Sequence, residues 1–121
     1  MCGGYPSRVR AKPAGWILSH VNQSMTGPRH YGNKWDCNLL VSGFGQNAAV
    51  SIRVLHFDLE NKTASDSLTV TGSISIKKFG MYPKGTSFEM SASDGGEIDF
   101  RFITDGSITR LGFALLYSGK L

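Results

Sequence analysis

Short stretches in which apolar and polar residues alternate run through almost the whole chain. Examples are KWDCNLLV (34–41), AVSIRVLHF (49–57) and GEIDFRFITD (96–105). Successive side chains of a β-strand point to opposite faces of a sheet, so each stretch predicts a strand with one buried face. No window combines the 3.6-residue period of an amphipathic helix with helix caps. The pattern therefore predicts strands and no helix.

The side chains expected to face the interior occupy every second position of these stretches. They are Trp35, Cys37, Leu39, Val41, Val50, Ile52, Val54, Leu68, Val70, Ile74, Ile76, Phe88, Met90, Ile98, Phe100, Phe102, Phe113, Leu115 and Tyr117. Turn-forming residues separate them at 43–47, 71–72, 83–85 and 93–96. Seven or more short strands in 121 residues predict an all-β fold, an antiparallel β-sandwich of two packed sheets.

The glycine-rich stretch GFGQNA (43–48) has the spacing of a dinucleotide-binding loop. Such a loop needs a helix behind its glycines to bind the phosphates. A strand pattern follows instead, so the stretch is interpreted as a hairpin turn.

Length and charge limit the classes of function. We expect residues 1–121 to form one domain, and no apolar run approaches the roughly 20 residues of a membrane span. The formal net charge is +4, but the basic residues are scattered and not interleaved with aromatic residues, which argues against nucleic acid. Binding of carbohydrate or glycosaminoglycan through a basic surface stays an alternative, and the basic residues near the N-terminus are Arg8, Arg10 and Lys12.

Patterns typical of catalytic or zinc sites are missing. His20, His30 and His56 are far apart, and the sequence has neither HExxH nor G-x-S-x-G. We therefore expect no enzymatic activity. Cys2 and Cys37 permit one disulfide, and Asn22 and Asn61 begin N-x-S/T sequons. Together these features favour an extracellular protein.

Carboxylates are concentrated where alternation breaks, in HFDLENKTASDSLTV (56–70). Glu60 ends one predicted strand and Asp66 begins the next. Asp105 ends another strand in ITDGS, where Ser107 offers a further oxygen. Calcium takes six to eight oxygen ligands, usually including carboxylates. The spacing is not that of an EF-hand, and the residues alone leave a metal site and a solvated acidic loop both open.

Five segments occur in the order of a known family. They are CGG (2–4), GWILSH (15–20), YGNKWDCNLLV (31–41), FDLEN with SDSLTV (57–61 and 65–70), and DFRFITDGSITRLGFALLY (99–117). In this order and spacing the chain resembles the CUB domain, an extracellular β-sandwich module with jelly-roll-like topology. The resemblance covers nearly the whole chain and implies a module of a larger extracellular protein.

The chain also departs from the family pattern. The second disulfide, expected near Ala64 and Gly80, has no cysteines here. His20 stands where the family has proline, and Asn38 stands where it has tryptophan. The acidic loop is shorter than is common.

The resemblance implies one Ca²⁺ site and a disulfide. Carried over by position, the metal ligands are Glu60, Asp66, Asp105 and Ser107, with Tyr31 as a supporting residue; the disulfide joins Cys2 to Cys37. The resemblance further implies a non-catalytic module in which Ca²⁺ orders an acidic surface. That surface would receive a lysine or arginine of an extracellular protein partner. Asp58 is not among the implied ligands, although alternation with Glu60 places it on the same face.

Overall fold

The computed structural model describes residues 8–19, 35–59, 66–78, 80–104 and 112–119. In these ranges the secondary structure consists of strands, which confirms the all-β prediction, and no helix could span a membrane. In chain order the strands are β1 (Arg8–Arg10), β2 (Ala14–Leu18), β3 (Asp36–Ser42), β4 (Ala49–Asp58), β5 (Ser67–Thr71), β6 (Ser75–Lys78), β7 (Met81–Tyr82), β8 (Ser87–Ser91), β9 (Glu97–Ile103) and β10 (Gly112–Gly119).

The strands form two packed sheets, as predicted. Sheet I has the order β1-β3-β9-β5-β6, and sheet II has the order β2-β10-β4-β7, with β8 also paired to β4. The described pairings are antiparallel except that of β1, which runs parallel to β3. The chain therefore changes sheet after every strand except β5 and β7, which are followed by a strand of the same sheet.

The core lies between the inward faces of the two sheets. In β9, Ile98, Phe100 and Phe102 are buried, while Asp99 and Arg101 point outward. The predicted interior faces are confirmed in this way for the other strands, with one exception. Ile74 is 65% exposed because it lies in the bend before β6, where alternation no longer applies.

The interpretation of residues 43–48 as a hairpin turn was wrong. They carry the chain from β3 in sheet I to β4 in sheet II. Phe44 is buried there, its ring lies 5.6 Å from that of Tyr117, and its N–H donates to the Gly96 carbonyl over 3.1 Å. An apolar side chain buried within the connection ties it to the core, so the connection crosses the sandwich.

Lys78 lies at the open edge between the sheets, on edge strand β6. Its Nζ atom is 4.8 Å from the ring centroid of Phe88 and 5.4 Å from that of Tyr82. The three residues border a cavity of about 60 Å³. A charged side chain that points inward from an edge strand disfavours pairing with another chain.

Candidate metal centre

Three strands of sheet I end side by side near Thr104. The Thr104 N–H donates to the Trp35 carbonyl over 2.8 Å, and the Trp35 N–H donates to Thr104 Oγ1 over 2.7 Å. On the other side of β9, Ser67 is in register with Ile103. Asp66, which precedes Ser67, therefore lies beside Thr104.

Sheet II ends in a similar way. The last residue of β4, Asp58, is in register with Gly112, the first residue of β10. On the other side of β10, the Ser19 N–H donates to the Phe113 carbonyl over 3.0 Å, and the Phe113 N–H donates to Ser19 Oγ over 3.1 Å. The Ser19 hydroxyl thus accepts the hydrogen bond that a backbone carbonyl would accept in a regular antiparallel pair.

An aromatic cluster shows that these strand ends belong to the same end of the sandwich. The ring of Phe102 in sheet I meets that of Phe113 in sheet II edge-on, with centroids 5.1 Å apart. Phe113 stacks on Phe57 at 5.8 Å, and Trp35 lies 6.5 Å from Phe102. Large rings packed this densely give the end a rigid floor.

Buried polar side chains are concentrated above this floor. In the described part of the chain they are Ser19, Asp66, Ser67 and Thr104, and all four lie at this end, called here the carboxylate end. Asp66 has 0% exposure. A buried carboxylate is unfavourable unless hydrogen bonds or a cation compensate it. Carboxylate oxygens are among the ligand types that Ca²⁺ prefers.

Of the predicted metal-site residues, the structure describes Asp66. Glu60, Asp105, Ser107 and Tyr31 lie outside the described residues. Two described residues that directly precede predicted ligands, Leu59 and Thr104, lie at the carboxylate end, and both are buried. Within the described ranges, no group of three or more His, Cys, Asp or Glu side chains is gathered as in a metal site.

Asp58 lies on the opposite side of sheet II from the core. Its neighbours in sequence, Phe57 and Leu59, are 3% and 1% exposed, so alternation directs Asp58 outward. The pKa of nearby His56 is lowered because burial disfavours the imidazolium form. A backbone hydrogen bond with Gly112 and the charge of Asp58 act in the opposite direction.

Asp36, a further acid near this end, is bound to an arginine. Arg101 donates from Nε to Asp36 Oδ1 over 3.0 Å and from Nη2 to Oδ2 over 2.8 Å. This bidentate hydrogen bond lowers the pKa of Asp36. Both side chains are about half exposed on the outer face of sheet I, so the pair is separate from the buried oxygens.

Comparison with known proteins identifies the family. The family model of the CUB domain matches residues 16–117. The chain belongs to the CUB domain family. No curated protein sequence matches it.

Solved structures share this CUB fold at low sequence identity. The full extracellular region of zebrafish Gpr126/Adgrg6 matches with a TM-score of 0.74 and 22% identity, covering 96% of this chain and 15% of that one. The CUB1-EGF-CUB2 domains of rat MASP-1 match with a TM-score of 0.69 and 19% identity, covering 93% of this chain and 42% of that one. The MASP-1 CUB2 domain bound to Ca²⁺ matches with a TM-score of 0.69 and 19% identity, covering 97% of this chain and 99% of that one. The chain thus spans less than half the length of the first two.

Of the two cysteines and two sequons of this CUB domain, the structure describes one cysteine. Cys37 is disulfide-bonded and packs against the core at the start of β3. Its predicted partner Cys2 lies outside the described residues, as do Asn22 and Asn61.

The basic residues near the N-terminus share their face with acids. Arg8 and Arg10 point outward from β1 at the edge of sheet I. Register places Arg8 in a row with Asp99 and Arg10 in a row with Glu97, two strands away in each case. Because neighbouring strands are about 4.8 Å apart, the backbone of each acid is about 10 Å from the backbone of the arginine in its row. This face carries charges of both signs and does not single out glycosaminoglycan as a ligand.

Ser19 and Thr104 are parts of the carboxylate end that sequence reasoning missed. Alternation could have found them. Thr104 continues the inward series of β9, and Ser19 follows the buried Ile17 at the same spacing. A hydroxyl residue at the last inward position of a strand indicates a polar end to the core.

Proposed function

We propose that this CUB domain is a non-catalytic, extracellular protein-interaction module whose binding surface is ordered by one Ca²⁺ ion. Asp66, Glu60 and Asp105 supply carboxylates to the ion. Ser107 supplies a backbone oxygen, and Tyr31 supports the site.

The burial of Asp66 carries this proposal. It is a fully buried carboxylate among buried hydroxyls, and Glu60 and Asp105 directly follow two described residues at the same end. A bound cation would compensate such a buried negative charge. Family membership and the likeness to a CUB2 domain bound to Ca²⁺ give further support.

The charge of the proposed site predicts the chemistry of its partner. Three carboxylates carry one negative charge more than Ca²⁺ neutralises. A carboxylate that binds Ca²⁺ through one oxygen keeps lone pairs for a charge-assisted hydrogen bond. A lysine or arginine of an extracellular protein partner fits this surface.

Calorimetric titration with CaCl₂ tests the site residue by residue. We expect Asp66→Asn, which keeps the shape of the side chain and removes its charge, to weaken binding at least about tenfold, or about 1.4 kcal/mol. Glu60→Ala and Asp105→Ala should abolish binding, because each removes a carboxylate ligand.

Asp94→Asn is the matched control. Asp94 is exposed in the turn between β8 and β9, at the opposite end of the sandwich, so its loss should leave the affinity unchanged. Unchanged affinity in Glu60→Ala or Asp105→Ala, with each variant folded by circular dichroism, would refute the assignment.

A further inference from the structure

The outward face of sheet II carries an apolar strip next to two cations. Register places Trp16 of β2, Leu116 of β10, Arg53 of β4 and Ser87 of β8 side by side across the sheet. Trp16 is 59% exposed, and Leu116 is half-buried beside it. A large exposed indole next to an apolar neighbour is typical of an interaction surface.

An irregularity in β4 forms a groove beside this strip. Ala114 is in register with His56 and Leu115 with Val54, so Leu55 is an extra residue that forms a bulge. The turn before β8 is fixed against the bulge, because the Gly85 N–H donates to the Val54 carbonyl over 2.8 Å. The result is an open groove of about 500 Å³, lined by Arg53, Val54, Leu55, Lys84, Gly85 and Leu116.

Two basic residues lie on the rim of the groove. Arg53 and Lys84 are both exposed. Among the described residues, the one salt bridge joins Arg101 to Asp36 on the other sheet. Arg53 and Lys84 therefore form no salt bridge with a described carboxylate. Two acids lie on the same face along β4. Glu89 is in register with Ser51, two residues before Arg53, and Asp58 is the last residue of β4, five residues after Arg53.

We propose that this groove, with Trp16 beside it, binds an acidic segment of a partner protein that also carries apolar side chains. Leu55 and Leu116 give the groove an apolar floor that suits leucine- or phenylalanine-like side chains. Arg53 and Lys84 can bind carboxylates of the partner that flank those apolar side chains. Tryptophan and arginine are also the residues that most often dominate the energy of protein interfaces.

This surface differs from the carboxylate end in the sign of its charge. The carboxylate end suits a basic partner residue and depends on Ca²⁺, whereas the groove suits acidic residues and needs no metal. The two surfaces can therefore be tested separately.

Selection from a random peptide library displayed on phage, carried out in EDTA, tests the proposal. We expect the enriched peptides to combine Asp or Glu with Leu, Phe or Trp. In NMR spectra of the ¹⁵N-labelled domain, a synthetic peptide of the enriched sequence should shift the indole signal of Trp16 and the amide signals of Leu55 and Leu116. The double variant Arg53→Glu/Lys84→Glu should weaken its binding at least about tenfold.

Arg8→Glu/Lys77→Glu is the matched control. It makes the same change in charge on the outer face of sheet I, and it should leave binding intact. The proposal is overturned if no acidic and apolar sequences are enriched, or if both double variants weaken binding equally. It is also overturned if a heparin oligosaccharide shifts the same signals with equal or higher affinity, because the face would then be a general polyanion site. Thermal melts confirm that each variant is folded.

Discussion

A carboxylate without solvent exposure is costly to maintain, and Asp66 is such a residue. Its position follows from β-sheet register, because it comes one residue before the pairing of Ser67 with Ile103. The hydroxyls of Ser19 and Thr104 are buried at the same end and satisfy backbone N–H groups there. The residues at the strand ends thus make this end of the core polar, whereas the aromatic rings below it form an apolar layer.

His56 should make the stability of the domain depend on pH. Burial lowers its pKa below the ordinary value of 6.5, so the unfolded chain binds more protons than the folded one at mildly acidic pH. The free energy of unfolding should therefore be fully maintained above about pH 6.5 and should decrease as the pH falls through the folded pKa. Urea denaturation of wild type and His56→Gln between pH 5 and 8 measures this difference. An equal decrease in both proteins would contradict the role of His56.

At the scale of the elements, two glycines with positive φ allow the cost of backbone strain to be measured separately from the cost of a steric clash. Gly96, in the turn before β9, has φ of 73°, and a Cβ atom there would collide with the Phe44 carbonyl. Gly85, in the turn before β8, has φ of 91°, and its Cβ would enter open space. Both turns need glycine for their backbone conformation. Only the turn at Gly96 also needs the space, because it packs against the connection between the two sheets.

Gly96→Ala should therefore destabilise the domain more than Gly85→Ala. For Gly85→Ala we expect a loss of about 1 kcal/mol from conformational strain alone. For Gly96→Ala we expect about 2 kcal/mol or more, because the Phe44 segment must also shift. Denaturant unfolding of both variants measures the two losses. Equal losses would show that the contact with Phe44 does not contribute.

Alternation predicted the strand faces well where strands are long and one face is buried. The inward series of β9, Ile98, Phe100 and Phe102, is an example. It failed at Ile74, because a bend before β6 interrupts the period. It also could not show that residues 43–48 cross between sheets, since strand order depends on contacts far apart in sequence. The candidate site was predicted mainly from family resemblance, because the sequence alone does not show that Asp66 is buried.

At the scale of the whole molecule, the two proposals give the domain two surfaces with opposite charge preference. The carboxylate end closes the core with buried oxygens, and the groove on sheet II lies beside an apolar strip and is bordered by two cations. In this account the first surface depends on Ca²⁺ and the second does not. A module built in this way could contact two partners, or two parts of one partner, at the same time.

The most direct test of the central claim is a thermal melt in EDTA, in CaCl₂ and in MgCl₂. With Ca²⁺ at about 100 times its dissociation constant, the account predicts a gain of about 2.7 kcal/mol, or a rise in Tm of about 10 °C. Mg²⁺ should give a much smaller rise, because it requires a smaller and more regular site. Asp66→Asn should lose at least about half of this gain, because a tenfold weaker affinity leaves about 1.4 kcal/mol at the same Ca²⁺ concentration, whereas Asp94→Asn should keep all of it. A melt that is the same in EDTA and in millimolar CaCl₂ would contradict the proposal that the carboxylate end is a calcium site.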